Sequence, residues 1–179
     1  MKNIHLIKYS AVFLLVFFFS IAIADYKNMK EPIFPNLSGK NLNGKQYNLP
    51  KDLPSEKTLV LIAFEREQQA ILDSWYQGLD LINSSIPWIE VPVISKPYKL
   101  GSFIIDSGMR RGIPNPGVRD KVITLYTNRE AFSNSMGFEY DNQAAYVAVI
   151  DRSGKNLGIV KGSYDQDKAK KILKLLDVK

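Results

Sequence analysis

Apolar residues occur in runs whose spacing predicts alternating strands and helices. Residues 58–64 (TLVLIAF) form a continuous apolar and β-branched stretch, which is typical of a central strand buried on both faces. Directly after this stretch, apolar residues recur at the spacing of one helical face. The members of this stripe are Ile71, Leu72, Trp75, Leu79 and Ile82. A strand followed at once by an amphipathic helix predicts a βα unit in the middle of the chain.

The same patterns continue towards the C-terminus. Residues 86–94 are predicted as a strand in which Pro92 marks a sheet end or edge. A second helix is predicted from Leu100, Phe103, Ile104 and Met109, ending near Arg111-Gly112. Three more strands, one short helix after Asn128 and a final amphipathic helix follow. These elements are predicted at 121–127, 129–136, 144–150, 156–161 and around 169–176.

Turn signals separate these elements and complete the predicted order. Asn43-Gly44 predicts a β-hairpin with a type I′ turn, and 113–117 (IPNPG) predicts a break between elements. Asp151-Arg-Ser-Gly154 predicts the turn of a second hairpin. The order is hairpin, βαβα, βα and ββα, which predicts an α/β domain with helices on both faces of a mixed sheet. We assign this domain to residues 34–179, after a flexible lead-in at 25–33.

The first 24 residues have the pattern of a secretory signal peptide. Lys2 and Lys8 give a positive start, and the apolar run at 11–24 is shorter than the roughly 20 residues that span a bilayer as a helix. Ala22-Ile-Ala24 supplies the small residues that signal peptidase recognises. We predict cleavage after Ala24 and export, in a bacterium to the periplasm. The alternative is an uncleaved anchor in the inner membrane.

Composition excludes several classes of function. The chain has no cysteine, and its one histidine, His5, lies in the predicted signal peptide. The mature protein therefore has neither a thiolate for redox chemistry nor an imidazole for catalysis. Loss of Lys2 and Lys8 lowers the formal charge from +6 to +4, and no nucleic-acid-binding motif is present. We predict no cofactor, no metal and no nucleic-acid partner.

The order of elements resembles a thioredoxin-like domain of the peroxiredoxin and thiol-disulfide reductase type. The resemblance covers the hairpin at Asn43-Gly44, the strand at 59–64, the inserted strand and helix at 122–136, and the ending at 146–154. It implies a three-layer α/β/α sandwich with a mixed central sheet, an N-terminal β-hairpin and an inserted β-α unit.

Two departures from this superfamily bear on function. Where the superfamily has its reactive cysteine, after the first central strand, this chain has residues 65–72 (EREQQAIL). Where the superfamily has a cis-proline before a late strand, this chain has Gln143-Ala144-Ala145. Since the thiolate is the nucleophile in thiol redox reactions, the resemblance implies a domain without redox activity.

A second, narrower resemblance rests on residues spread along the domain. These residues are Ala63-Phe64, Arg66, Asp73-Ser74-Trp75, Met109-Arg110-Arg111, Asn142, Ala145-Tyr146, Asp151, Gly154 and Gly162. On this pattern the chain is most similar, within the superfamily, to the cysteine-free assembly-factor family of the mitochondrial ATP synthase and its bacterial relatives. The resemblance implies a non-catalytic protein that assists maturation of a membrane subunit.

Candidate binding residues surround the lost thiol position and two other features. Arg110-Arg111 either binds an acidic partner or places positive charge at a helix C-terminus. Trp75 either anchors a partner or belongs to the core. The full set of partner-binding candidates is Glu65, Arg66, Glu67, Gln68, Gln69, Trp75, Arg110, Arg111, Gln143, Ala144 and Ala145.

The leading hypothesis is therefore an exported, non-catalytic binding or assembly protein. Its docking face for an envelope or membrane protein would combine the 65–69 loop with the 143–145 edge. One alternative is an enzyme that uses carboxylates or a metal at Glu65, Glu67 and Asp73. Another is a small-ligand binder that uses the same groove. Contact with the membrane is predicted only through an uncleaved signal sequence.

Overall fold

The domain is built on one mixed sheet of seven strands. The computed structural model describes residues 31–95 and 101–178. The predicted signal peptide, most of the lead-in and Leu100 lie outside these ranges. The strands lie in the order β2-β1-β5-β4-β3-β6-β7. They are β1 (Leu37–Asn41), β2 (Gln46–Leu49), β3 (Lys57–Ala63), β4 (Trp88–Ile94), β5 (Ile123–Tyr126), β6 (Tyr146–Asp151) and β7 (Asn156–Lys161).

The pairing directions determine which chain segments meet. β3, β4 and β5 pair in parallel, whereas β6 runs antiparallel to β3 with Ile62 opposite Tyr146. The carboxyl ends of β3, β4 and β5 therefore lie at the same edge of the sheet as the start of β6. This edge, which we call the carboxyl edge, brings the segment after β3 next to the segment before β6.

The described residues form five helices, four of them between strands and the last after β7. Asn115, Asn128 and Asp165 cap three of them by accepting hydrogen bonds from backbone N–H groups of the first turn. A 3₁₀ turn, Arg66–Gln68, leads directly into the first helix. The helices are α1 (Gln69–Gly78), α2 (Gly101–Gly112), α3 (Pro116–Lys121), α4 (Arg129–Ser135) and α5 (Gln166–Leu176).

Two apolar clusters lie on opposite faces of the sheet. One cluster contains Phe34, Ile62 and Phe132, so α4 covers that face. The other contains Leu72 and Ile172, so α1 and α5 cover the opposite face. Every fully buried apolar residue of both clusters comes from residues 34–176. The predicted α/β fold class, with helices on both faces of a mixed sheet, is confirmed.

Three local predictions are wrong in detail. The first hairpin has no type I′ turn, because Gly44 N donates to Asn41 O at 2.9 Å, which makes Leu42 and Asn43 the central turn residues. Only Gly44, with φ of 90°, has a positive φ there. The edge alternative for Pro92 is wrong because β4 is an interior strand, whereas the sheet-end alternative agrees with its pairing to Ala63, the last residue of β3. The stripe of α1 stops before Ile82, which is 57% exposed.

Two further differences concern the segment between β4 and β5. Asn115 and Pro116 begin the short helix α3 where the sequence predicted only a break, although an N-cap followed by proline is a helix-start signal. The second predicted helix exists as α2 and ends at Gly112 as expected. Two residues of its predicted apolar stripe do not face the core, because Phe103 and Ile104 are 76% and 67% exposed.

Candidate functional site

The side chain of Gln68 joins the two segments of the predicted docking face. Its amide oxygen accepts hydrogen bonds from the backbone N–H of Phe64 at 2.7 Å and of Glu65 at 3.3 Å. Its amide nitrogen donates to Asn142 O at 2.9 Å. Gln68 is 2% exposed, so this link lies beneath the surface. A single buried amide therefore connects the loop after β3 with the segment before β6.

Arg129, the first residue of α4, fixes the same loop from a second side. Its guanidinium donates to Phe64 O and to the Glu65 carboxylate, and its Nε donates to Val93 O at 3.2 Å. Arg129 begins α4, where the helix macrodipole disfavours a positive charge. This unfavourable position was the only sequence signal for Arg129, which sequence analysis missed.

An aromatic cluster lies beneath the loop on the α4 side of the sheet. The Phe64 ring packs edge-on against Tyr140 at 5.1 Å and Tyr146 at 6.2 Å between centroids. The Phe138 ring stacks on Tyr146 at 4.1 Å, and the Tyr146 hydroxyl donates to Glu139 O at 3.0 Å. Arg129 Nη1 also donates to the Tyr140 hydroxyl at 3.4 Å. The aromatic cluster and Arg129 therefore both hold the loop in place.

The candidate residues around the lost thiol position divide by exposure. Arg66, Glu67, Gln69 and Gln143 are exposed at the carboxyl edge, and Glu65 is partly exposed and paired with Arg129. Gln68, Ala144 and Ala145 are buried, so their side chains support this surface without forming it. The two segments lie together, as the docking hypothesis requires. Binding of a partner there stays a prediction.

Trp75 belongs to the core. It is 0% exposed, and its indole N–H donates to Gly162 O at 2.9 Å. The Tyr164 ring packs edge-on against the indole at 5.4 Å, and the Ser74 hydroxyl accepts from Tyr164 N at 2.9 Å. Ser74, Trp75 and Gly162 therefore hold the connection between β7 and α5 against α1. This packing accounts for these residues without a partner, and the core alternative for Trp75 is the correct one.

The arginine pair lies apart from the loop. Arg110 and Arg111 are exposed in the last turn of α2. At the other end of α2, the Tyr126 hydroxyl approaches Ser102 O at 3.2 Å, which places that end at the carboxyl edge. Nine residues separate Ser102 from Arg111, about 13 Å along a helix that rises 1.5 Å per residue. Arg110 and Arg111 therefore lie on a surface separate from the loop after β3.

The carboxylates named for an alternative enzyme are dispersed. Glu65 is paired with Arg129, and Asp73 accepts from Gln69 Nε2 at 3.1 Å. Glu67 is exposed. Within residues 31–95 and 101–178, no three Asp, Glu, His or Cys side chains are grouped closely enough to hold a metal ion. In the same ranges, no helix is both long and apolar enough to cross a bilayer.

A buried carboxyl group that the sequence did not single out lies in the middle of β4. Glu90 is 3% exposed, and the Tyr76 hydroxyl donates to its Oε2 at 2.6 Å. Burial raises the pKa of Glu90, and the nearby Asp73 raises it further, while hydrogen bonds from Tyr76 and Gln69 oppose this shift. Sequence analysis missed Glu90 because it lies within the mainly apolar run that predicted this strand. Its hydrogen-bond partner, Tyr76, comes from a different element, α1.

Replacing Glu90 should change how stability depends on pH. Folding raises the pKa of Glu90, so the protonated carboxyl group makes its full contribution to folding stability at low pH. This contribution decreases as the pH rises. We expect Glu90→Gln, which keeps an acceptor for Tyr76, to become more stable than wild type as pH increases from about 4. The unfolding free energy of Glu90→Gln relative to wild type should increase by at most about 1.4 kcal/mol per pH unit, which is the limit for one proton. Urea unfolding across pH measures it.

The control for this prediction is Glu67→Gln, which removes an exposed carboxylate. Its stability relative to wild type should stay within about 0.5 kcal/mol at every pH. A constant difference between Glu90→Gln and wild type across the whole pH range would contradict the prediction.

Comparison with known proteins identifies the fold. No protein-family model matches the chain, and no curated protein is similar to it in sequence. Solved structures do match. A proposed electron transfer protein from Aquifex aeolicus VF5 superposes with a TM-score of 0.57 at 14% identity, covering 82% of this chain and 97% of that chain.

Two further structures have similar scores. BsSco, a member of the Sco family of cytochrome c oxidase assembly proteins, gives a TM-score of 0.52 at 15% identity over 83% of this chain and 96% of its own. The exposed lipoprotein thioredoxin Etrx1 from Streptococcus pneumoniae TIGR4 gives 0.51 at 16% identity over 78% and 98%. These proteins share the architecture described above. The chain therefore has a thioredoxin-like fold, with a buried glutamine in the segment where the sequence resemblance expected a reactive cysteine.

Proposed function

We propose that this protein is a non-catalytic, exported binding or assembly protein that docks a protein partner at the carboxyl edge. The observation that carries the proposal is the hydrogen-bonded amide of Gln68. It joins the loop after β3 to the segment before β6 without a thiol. An amide in this position is neither a nucleophile nor a redox group, so recognition is the use that we assign to the retained scaffold.

The rigidity of the edge supports this proposal. Gln68 and Arg129 together fix the backbone of Phe64 and Glu65 from two sides. Side chains on this backbone are therefore pre-organised, which lowers the entropic cost of binding. The exposed groups are Arg66, Glu67, Gln69 and Gln143. A surface of both charges and two amides suits a polar protein segment better than an apolar ligand.

The client and the location form part of the same proposal. The likeness to the cysteine-free ATP synthase assembly factors favours a membrane-complex subunit as the client. The structural similarity to BsSco, whose own family assembles cytochrome c oxidase, is compatible with an assembly role of this kind. The signal pattern at residues 1–24 favours the periplasm of a bacterium, with an inner-membrane anchor as the alternative.

Site-specific photocrosslinking in the cell envelope tests the docking face. A photoreactive residue replaces Glu67 or Gln143, which flank the edge, or Ser153 as the control. Ser153 is exposed in the turn after β6, at the opposite edge of the sheet. We expect positions 67 and 143 to give the same crosslinked partner, identified by mass spectrometry, and position 153 not to give it.

Charge reversal supplies the second arm of this experiment. With the photoreactive residue at position 143, Arg66→Glu with Glu67→Lys keeps the net charge and reverses its pattern. With the photoreactive residue at position 67, Gln143→Arg adds bulk. Each change should weaken the crosslink about tenfold or more, whereas Ser153→Arg should not. A partner that is captured equally by all variants, or equally at position 153, would disprove the docking face.

A further inference from the structure

The outward face of α2 presents a pattern that the docking face does not use. Phe103 and Ile104 are 76% and 67% exposed, more than Ile33 and Ile82, the other large apolar residues that the structure describes as exposed. Arg110 and Arg111 follow seven residues later, which is two helical turns, and both are exposed. Each arginine therefore lies on the same side of the helix as one of the apolar residues. We call these four residues the α2 face.

The charge of the α2 face itself is positive. Asp106 is the one acidic residue of α2, and its carboxylate accepts a hydrogen bond from the Tyr126 hydroxyl of β5 at 2.8 Å. Asp106 lies four residues before Arg110 and so flanks the α2 face, but its carboxylate is directed to the Tyr126 hydroxyl. The two guanidinium groups outnumber this one carboxylate and favour an anionic occupant, and phosphate oxygens suit their N–H donors.

The shape of the α2 face indicates which anionic occupant it suits. Side chains that are about three-quarters and two-thirds exposed protrude from the surface. A protein partner would need a matching cavity for both Phe103 and Ile104, whereas the boundary between lipid headgroups and acyl chains deforms around any protruding apolar group. An amphipathic helix with aromatic and aliphatic residues beside basic residues is typical of an interfacial helix.

We propose that the α2 face binds the surface of an anionic phospholipid bilayer. Phe103 and Ile104 enter the headgroup boundary, and Arg110 and Arg111 contact lipid phosphates. α2 itself stays attached to the sheet through the hydrogen bond from the Tyr126 hydroxyl to Asp106. This contact is independent of any anchor at the N-terminus, and it replaces the expectation that only an uncleaved signal sequence contacts the membrane.

The C-terminal helix α5, which is also basic, provides a comparison. α5 carries Lys170 and Lys171 on its exposed side, but its apolar residues Ala169, Ile172 and Leu176 are buried. It therefore offers positive charge without an apolar group that could enter the bilayer. Charge alone gives weak and salt-sensitive binding, so α5 is a matched control for α2.

Flotation with lipid vesicles tests the proposal on the chain that begins at Asp25, which retains every residue of both apolar clusters. The probes are vesicles of phosphatidylcholine alone and of phosphatidylcholine mixed with phosphatidylglycerol. We expect binding to the mixed vesicles and little binding to the neutral ones. Phe103→Ser with Ile104→Ser should weaken binding about tenfold or more, since it removes the inserted apolar groups.

Charge variants distinguish binding by the arginine pair from non-specific attraction between a basic protein and an anionic surface. Arg110→Gln with Arg111→Gln should lower binding to the mixed vesicles about tenfold or more, since each basic residue near such a surface contributes about 1 kcal/mol. Lys170→Gln with Lys171→Gln removes the same charge from α5 and should change binding less than about threefold. Ile82→Ser removes an exposed apolar residue outside α2 and should have no effect. Circular dichroism checks that each variant folds.

Two results would overturn the proposal. One is wild-type protein that does not bind the mixed vesicles; a protein captured by a photoreactive residue at position 103 would then assign the α2 face to a protein partner. The other is loss of binding that the α5 and Ile82 controls share, since this would leave only non-specific attraction. Neither result affects the docking face at Glu67 and Gln143.

Discussion

Gln68→Ala should destabilise the domain by about 3 kcal/mol, since each buried polar group left unpaired costs roughly 1–3 kcal/mol. The substitution removes the acceptor for Phe64 N and Glu65 N and the donor to Asn142 O. Phe64 N is buried directly after β3, where water cannot replace the lost amide oxygen. Urea unfolding monitored by tryptophan fluorescence measures the loss.

Two variants distinguish the hydrogen bonds of Gln68 from its packing. Gln68→Met keeps a side chain of similar length without the amide, and it should be destabilised nearly as much as Gln68→Ala. As a control, Gln143→Ala removes an exposed amide whose nitrogen donates only to the exposed Asn142 Oδ1, at 3.2 Å, and it should change stability by less than about 1 kcal/mol. Full stability in Gln68→Met would mean that packing, not hydrogen bonding, holds the two segments together.

Arg129→Ala should cost about 2–3 kcal/mol, because hydrogen bonds to a charged group are worth roughly 1.5–3 kcal/mol. The guanidinium donates to two backbone carbonyl oxygens, Phe64 O and Val93 O, at the ends of adjacent strands. Arg129→Lys keeps the charge but cannot contact both oxygens with one planar group, so it should recover less than half of the loss. Urea unfolding gives the stabilities, and hydrogen exchange at residues 64–68 should show faster local opening.

The ion pair with Glu65 should contribute little to this effect. The Glu65 side chain is 37% exposed, so water screens its attraction to Arg129. Glu65→Gln should therefore cost less than about 1 kcal/mol. If Glu65→Gln were as destabilising as Arg129→Ala, the ion pair and not the carbonyl contacts would position the loop.

Sequence patterns predicted most of the elements because their signals are local. The apolar run at 58–64 matches β3 at Lys57–Ala63, and Asn128 begins α4 as its capping residue. The turn glycines Gly44 and Gly154 both have positive φ. The element order also indicated the thioredoxin-like fold. The same patterns misplaced Phe103 and Ile104, because helical spacing identifies a stripe and does not show what the stripe faces.

Only part of the candidate site could be predicted from the sequence. The sequence identified the loop at 65–69 and the segment at 143–145, and it established that the chain has no cysteine. It did not identify Arg129, which contacts Phe64 across 65 positions of the chain, nor Tyr140 beneath it. Contacts of this kind leave no periodic signal, because they depend on which strands lie side by side.

The sequence by itself determined that the chain has no thiol and that its one imidazole is that of His5, and it determined where most strands and helices form. Only the tertiary structure decided that Gln68 links two distant segments, that Trp75 is buried, and that α2 directs two apolar residues outward. The physical reason is that side-chain chemistry and local backbone preferences belong to single residues and their neighbours. Burial and hydrogen-bond pairing depend on the packing of the whole chain.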